Sequence, residues 1–381
     1  MNQPGDSAGG DVRLWNEEAF AHGAQAWTAL LNRSSADALF MSWQWQRSWW
    51  EHHRSLLNAT LHLLAVHSPS GELIGLAPLY SHTVRSRALV GVRRLELMGA
   101  AWRNDAPAFS EYLDVIAARG HEQAVLDAIA TWLRSQSFWQ DLAITAVRED
   151  SLVARLARET LSQIAYVRDA DPMVSYAVTL PRSFADYVAG LGDGTRRRLF
   201  GQRRKLSNVS LSYANDAQIA ESLALLRRFK SDRWAGALQG ESLQRFHESI
   251  ARSAAASNSL RLSVLSTDGV PLSVMFNIRA GNTEYYLQSA FDVTRASGLS
   301  PGYLHFGYAM EQACQDGVTR FDFLGGRGLN RDYKQDLSAE PCRLVCYHAV
   351  RAPLLRALHA SYAWTRRAFA RSQPVCLVEA A

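Results

Sequence analysis

Two stretches of this chain, far apart in sequence, are written alike, and that repeat constrains the fold more than any other feature. The first is LHLLAVHSPSGELIGLAPLY, which reads as a strand from Leu61, a turn at Pro69-Ser70-Gly71 and a return strand from Leu73. The second is LRLSVLSTDGVPLSVMFNI, with Leu260, Val264, Asp268-Gly269 and Leu272 in nearly the same places. The likeness continues past both hairpins. RLELMG (Arg94 to Gly99), a helix over Glu122 to Ser135 and the strand DLAITAV (Asp141 to Val147) correspond to YYLQSAF, a helix over Tyr303 to Asp316 and TRFDFLG. Two copies of one α/β unit, each a mixed sheet, account for this pattern, and 381 residues leave each copy room for a core.

The order of segments that follows is a polar, Gly-rich tail (1–10), a first unit (11–170), a second unit (171–350) and a basic C-terminal segment (351–381). The boundary falls near Ala170-Asp171-Pro172, where the proline breaks the preceding helical pattern. In the first unit, Trp15 to Leu31 and Ser42 to His53 read as helices, and the second is dense in tryptophan (Trp43, Trp45, Trp49, Trp50), which marks core. The second unit opens with the strand YAVTL and a helix from Ser183.

Chemistry concentrates between Tyr285 and Lys334. A strand (YYLQSAFD) leads to Ser300-Pro301-Gly302, a helix to about Asp316, a second strand (VTRFDFL) and a glycine-rich exit (Gly325, Gly326, Gly328) to Tyr333-Lys334. Ser300 suits the helix cap, Pro301 the first helical position, and Gly302 bares the backbone. Free N–H groups at such an end, with the helix dipole, attract phosphate. The first copy has Ala118-Arg119-Gly120-His121 there instead, a degenerate site. Gly298 to Gly302 also matches the Gly-x-Ser-x-Gly nucleophile elbow, but the residue after the serine must give an oxyanion N–H and Pro301 has none. Upstream, TRRRLFGQRRKL places Arg196, Arg197, Arg198, Arg203, Arg204 and Lys205 close together, either a solvated face or a guide for a phosphorylated ligand.

The run YYLQSAFD…SPG…G…FDFLGG…YK resembles the C-terminal half of the acyltransferase domain in CelD-type proteins of bacterial polysaccharide synthesis, a branch of the GNAT acyltransferases. Those proteins resemble in turn the FemABX aminoacyltransferases, which carry two GNAT-like units. The resemblance implies a tandem GNAT-like fold, with the first unit non-catalytic and the second an N-acyltransferase. It implies a donor thioester, acyl-CoA or acetyl-CoA or an acyl-carrier protein, whose pyrophosphate sits on the turn before the helix while two splayed strands admit the acyl group, and an amine acceptor. The FemABX side implies aminoacyl-tRNA as the alternative donor; a non-catalytic partner of a polysaccharide-synthesis complex is the reading outside enzymes. The usual Gln/Arg-x-x-Gly-x-Gly/Ala signature is replaced here by Ser-Pro-Gly. On this basis Ser300, Gly302, Tyr303 and Gln288 are expected at the cofactor and Tyr286, Tyr333, Arg197 and Arg198 at the substrate. Lys334, which closes the family's Tyr-Lys pair, and Asp322, set between Phe321 and Phe323, are the expected catalytic residues. Tyr286 and Gln288, two apart, are expected on one strand face, and His305 reads as structural.

A net charge of +5 fits an anionic ligand without choosing its kind, and DNA is not among the expected partners. The four cysteines all lie toward the C-terminus, a poor disulfide framework, and Cys342 with Cys346 lack the companions a tetrahedral metal site needs, so no metal is expected. Neither a signal peptide nor the roughly 20 apolar residues of a membrane span occur, which predicts a cytoplasmic protein. The segment Arg351 to Arg371 lacks acidic residues and reads as an amphipathic helix, with Leu355, Leu358, Tyr362 and Phe369 on one face. It either packs on the second unit or makes a peripheral contact at the inner face of the membrane.

Overall fold

Both repeated hairpins form, each through its own turn chemistry. Asp268 and Gly269 take φ of 51° and 75°, the left-handed pair that suits a two-residue hairpin, while Gly71 at 84° closes the longer first turn. The computed structural model describes residues 10–85, 91–101, 109–169, 173–233, 240–325, 332–353 and 356. Residues 1–9 of the expected tail, the boundary residues 170–172, Gly326, Gly328 and nearly all of the basic C-terminal segment lie outside them.

The strands of the first half are β1 (Asp11–Trp15), β2 (Thr60–His67), β3 (Leu73–Arg85), β4 (Gly91–Leu97), β5 (Ile116–Ala117), β6 (Asp141–Arg148) and β7 (Tyr166–Asp169). Those of the second are β8 (Met173–Thr179), β9 (Val209–Tyr213), β10 (Leu260–Thr267), β11 (Val270–Ala280), β12 (Thr283–Phe291), β13 (Arg320–Leu324) and β14 (Glu340–Val350). They form one sheet in the order β1-β2-β3-β4-β6-β14-β8-β13-β12-β11-β10-β9, with β5 on β3 and β7 on β14. Read inward from the two edges, the halves repeat strand for strand: antiparallel pairs to β4 and to β12, then a parallel step to β6 and to β13. A crossover helix makes each parallel step, Glu122–Ser135 in the first half and Pro301–Gln315 in the second. The fold is therefore a tandem GNAT-like α/β architecture of two related mixed-sheet units.

The seam is β14. Its first residues pair with β8 and its last with β6, so the two units share one hydrogen-bonded sheet. The main apolar cluster crosses the seam, joining Trp45 and Trp49 of the helix Trp43–Leu57 to Phe246 and Phe276 of the second half. Trp45, Trp49 and Trp50 are core as expected. Trp15 to Leu31 is not one helix. Trp15 ends β1, and Gly23 separates two helices, Glu17–His22 and Ala24–Asn32, because a Cβ there would meet the Trp15 ring at 2.3 Å.

Candidate active site

The site begins where the sheet opens. Among the described residues β12 and β13 pair in parallel only from Thr283–Arg320 to Tyr285–Asp322, after which the two strands part. On its other side β12 carries a bulge: Phe276 faces Gln288 and Asn277 faces Tyr286, leaving Leu287 over. The extra residue reverses side-chain parity, so Tyr286 and Gln288 do not share a face. Tyr286 turns to the helix Pro301–Gln315, its ring 4.9 Å from that of Phe306. Gln288 turns the opposite way, to Lys230 of the helix Ile219–Arg233 and His247 of the helix Glu241–Ala256. The opening thus has two differently lined faces.

The helix Pro301–Gln315 starts beside this opening with Pro301 in its first turn. Ser300 does not cap it through its side chain. Its backbone N–H instead donates to Gln202 Oε1 at 2.8 Å, which fastens the basic segment to the helix start. Gly307, one turn on, packs so closely on Leu199 that a Cβ would lie 2.2 Å from the Leu199 carbonyl oxygen. At Gly302 a Cβ would meet nothing within 4 Å, so that flank of the helix start is open. In the basic segment Arg197 and Arg204 are exposed, without an acidic partner among the described residues. In the first half the matching start is filled from within, since Gly120 N–H donates to Glu122 Oε2 at 2.9 Å.

Residues 193–335 match the family described as the acetyltransferase (GNAT) domain. Residues 193–335 carry a GNAT-type acyltransferase domain. The matched stretch begins at the basic segment and ends one residue past Lys334. Among solved structures the chain is similar to FemX, with 12% identity, 91% of this chain and 99% of that one covered, and a TM-score of 0.63. It is also similar to the C-terminal domain of a putative lysylphosphatidylglycerol synthetase from Agrobacterium fabrum (12%, 89% and 95%, 0.54) and to L-PGS from Bacillus licheniformis (13%, 91% and 96%, 0.50). At such identities the likeness is one of fold. No curated protein matches the sequence significantly.

Within the GNAT domain, Lys334 is buried and spends its ammonium on the end of β13, donating to the carbonyls of Phe323 (2.9 Å), Leu324 (2.5 Å) and Gly325 (2.5 Å). An ammonium has three donors, and these bonds tie it to the strand end that bounds the opening. Asp322 does face away from Phe321 and Phe323, whose rings pack on Phe306. It is buried under Tyr112 of the first half, whose hydroxyl lies 3.1 Å from both carboxylate oxygens, with Arg320 at 3.2 Å and Leu324 N–H at 2.8 Å. Burial raises its pKa against these donors.

Tyr303 and Tyr333 lie with Tyr286 and Phe306 in one aromatic cluster, the Tyr333 ring stacked 6.1 Å from Phe306 and its hydroxyl bonded to Tyr286. Arg198 lies 4.2 Å above the Tyr303 ring, and both Arg198 (2.9 Å) and the Tyr303 hydroxyl (3.0 Å) are held by Asp336. Of the expected phosphate-facing arginines, Arg197 is therefore uncommitted and Arg198 is engaged. His305 is structural, wedged between the hydroxyls of Ser263 (2.8 Å) and Ser273 (2.7 Å), with burial holding its pKa down at about 3.

Sequence reasoning missed the first half's contribution. Glu111 accepts from Gly325 N–H through both oxygens (2.9 and 2.7 Å), where a Cβ on Gly325 would meet Val174 O at 2.9 Å and Glu111 Oε1 at 3.0 Å. Asp37 accepts from the Tyr285 hydroxyl at 2.9 Å, and its burial moves its pKa up to about 6. Neither side chain is near the site in sequence. The positive φ of Tyr112, 56°, marks the local backbone but has no sequence signature at a non-glycine residue.

Proposed function

We propose that the second half transfers an acyl group from a phosphate-bearing thioester donor, acyl-CoA or an acyl-carrier protein, to an amine. The observation that supports this most is the opening of β12 from β13 beside a helix start whose Gly302 flank is bare. The parting of β12 from β13 suits the entry of an amide-bearing arm, as in strand addition. The N-terminal N–H groups of the helix suit the phosphates at the far end of that arm, with the basic segment fastened to the helix start through Gln202. Developing charge on the acyl oxygen falls beside the bulged backbone of β12. Tyr286, Tyr303 and Tyr333 wall the donor side, and Gln288 belongs to the acceptor side.

A second reading, aminoacyl transfer from charged tRNA, is favoured by the end-to-end fold likeness to FemX and by the exposed cations of the basic segment. Titration calorimetry with acetyl-CoA separates the two. Binding to the wild-type chain that weakens at least tenfold in Gly302→Val, with unfolding unchanged, supports the thioester donor; equal affinity in both proteins refutes the assignment of the helix start. Among the described residues no helix is long and apolar enough to cross a membrane. A place in polysaccharide or envelope synthesis, in the cytoplasm or at the inner membrane face, remains part of the proposal and is supported by the resemblance of the Tyr285 to Lys334 stretch.

A further inference from the structure

Only three of the 41 basic residues are lysine: Lys205, Lys230 and Lys334. Where a permanent cation suffices, this chain writes arginine, so each lysine merits its own account. Lys205 is exposed and donates to Gly298 O at 3.2 Å. Lys334 is satisfied by three carbonyls. Lys230 is different. Partly buried in the last turn of the helix Ile219–Arg233, it makes one hydrogen bond, to Gln288 Oε1, and no ion pair among the described residues. Two of its three ammonium donors have no protein partner among the described residues.

The titratable groups facing the cluster are His247 and, behind it, His53 of the helix Trp43–Leu57 and Arg227 one turn earlier on Lys230's own helix; all are bases. β11 and β12 bring Phe276 and Gln288, which carry no charge. Burial lowers Lys230 to about 8; burial first, and then the positive charges around it, hold His247 down at about 3. A neutral His247 accepts at Nδ1 from Gln288 Nε2 (3.4 Å), which turns the amide oxygen of Gln288 to Lys230. Gln288 directly follows the bulged Leu287 on β12, facing away from the donor's helix.

We propose that Lys230 is the base that takes the proton of the incoming amine, placed by Gln288 and His247 on the acceptor face of the opening; this rests on the acyl-transfer reading above. In the step, the amine nitrogen bonds to the acyl carbon as the bond from that carbon to the leaving sulfur or oxygen breaks. Neutral Lys230 takes the proton from the nitrogen and passes it to the departing sulfur or oxygen, returning to the neutral amine. No further reactant is needed. A guanidinium at this position keeps the charge and cannot take the proton.

The test has two parts on the full-length chain. Trace acetylation with acetic anhydride from pH 6 to 10, read by peptide mass spectrometry, resolves the three lysines without any substrate. Lys230 is expected to half-titrate near pH 8; a Lys230 curve still rising steeply at pH 10, or an unreactive Lys230, overturns the proposal even if the donor reading stands. In the second part, acetyl-CoA is the donor probe and glucosamine, lysine and glycylglycine are the amine probes. Lys230→Arg and the uncharged Lys230→Met, both checked for a native unfolding transition, are expected to lose turnover about 100-fold or more, the usual scale of general-base catalysis, with the wild-type rate rising to a plateau above pH 8. Equal turnover, or a raised KM for the amine at unchanged kcat, overturns the proposal in favour of a binding role. Absence of any acetyl-CoA binding overturns the donor reading and leaves the labelling result to decide on Lys230.

Discussion

Gly307→Ala sets two well-measured effects against each other. Alanine in place of glycine inside a helix stabilises by about 1 kcal/mol through backbone entropy, so propensity alone predicts a gain. The contact predicts the reverse. The new Cβ would stand 2.2 Å from the Leu199 carbonyl oxygen and 3.2 Å from its carbon, where ordinary contact begins at 3.4 Å. The helix Asp193–Leu199 must therefore retreat by roughly an ångström, and the obstacle is backbone, which cannot rotate aside as a side chain can. Overpacking of this kind costs about 1–3 kcal/mol. At the upper part of that range, less the propensity gain, Gly307→Ala is destabilised by about 1–2 kcal/mol. Retreat also pulls Gln202 from Ser300 at the helix start, so acetyl-CoA affinity falls together with stability. Gly302→Ala is the control: nothing lies within 4 Å of its Cβ, and it keeps stability at or slightly above wild type. Urea unfolding of the three proteins decides. A Gly307→Ala variant as stable as Gly302→Ala would refute the packing argument.

Lys334→Met removes the donors of three carbonyls at the end of β13 and is expected to cost about 2–4 kcal/mol in urea unfolding, since buried groups left unpaired cost about 1–3 kcal/mol each and part of that loss is regained by water; unchanged stability would return Lys334 to a purely chemical role. Tyr112→Phe takes the hydroxyl from Asp322 and is expected to destabilise by about 1–2 kcal/mol. It should also raise the Asp322 pKa further, visible as a carboxyl titration by NMR, because a donor to its charged form is gone; a lowered pKa contradicts this. Asp141 is pushed up by burial, yet the hydrogen bonds from His348 and Arg94 hold it lower, at about 2 against 3.8 unfolded. A depressed acid stabilises the fold above its unfolded pKa. Wild type should accordingly lose roughly 2 kcal/mol from this group as pH falls from about 4 to about 2, and Asp141→Asn should lack that slope while being less stable at pH 7.

The repeat, the two hairpins, the crossover helices and the position of the second-half site along the chain were legible because they rest on local rules. Alternating apolar residues, Pro-Ser-Gly and Asp-Gly turns, and proline at a helix start act within a few residues of themselves. Lys334 looked catalytic for the same local reason: a lysine after glycines is visible in sequence, whereas the three carbonyls that occupy it belong to a strand whose end is placed only by the fold. The face of Gln288 was misjudged because a single bulge at Leu287, set by pairing with β11, inverts the side-chain alternation that sequence spacing assumes. Tyr112, Glu111 and Asp37 reach the site across the seam that β14 makes between the halves. Sequence states which groups this chain owns; only the closing of the two units into one sheet decides which of them meet, and a partly buried ammonium such as Lys230 set against Gln288 is a property of three-dimensional packing that no linear spacing records.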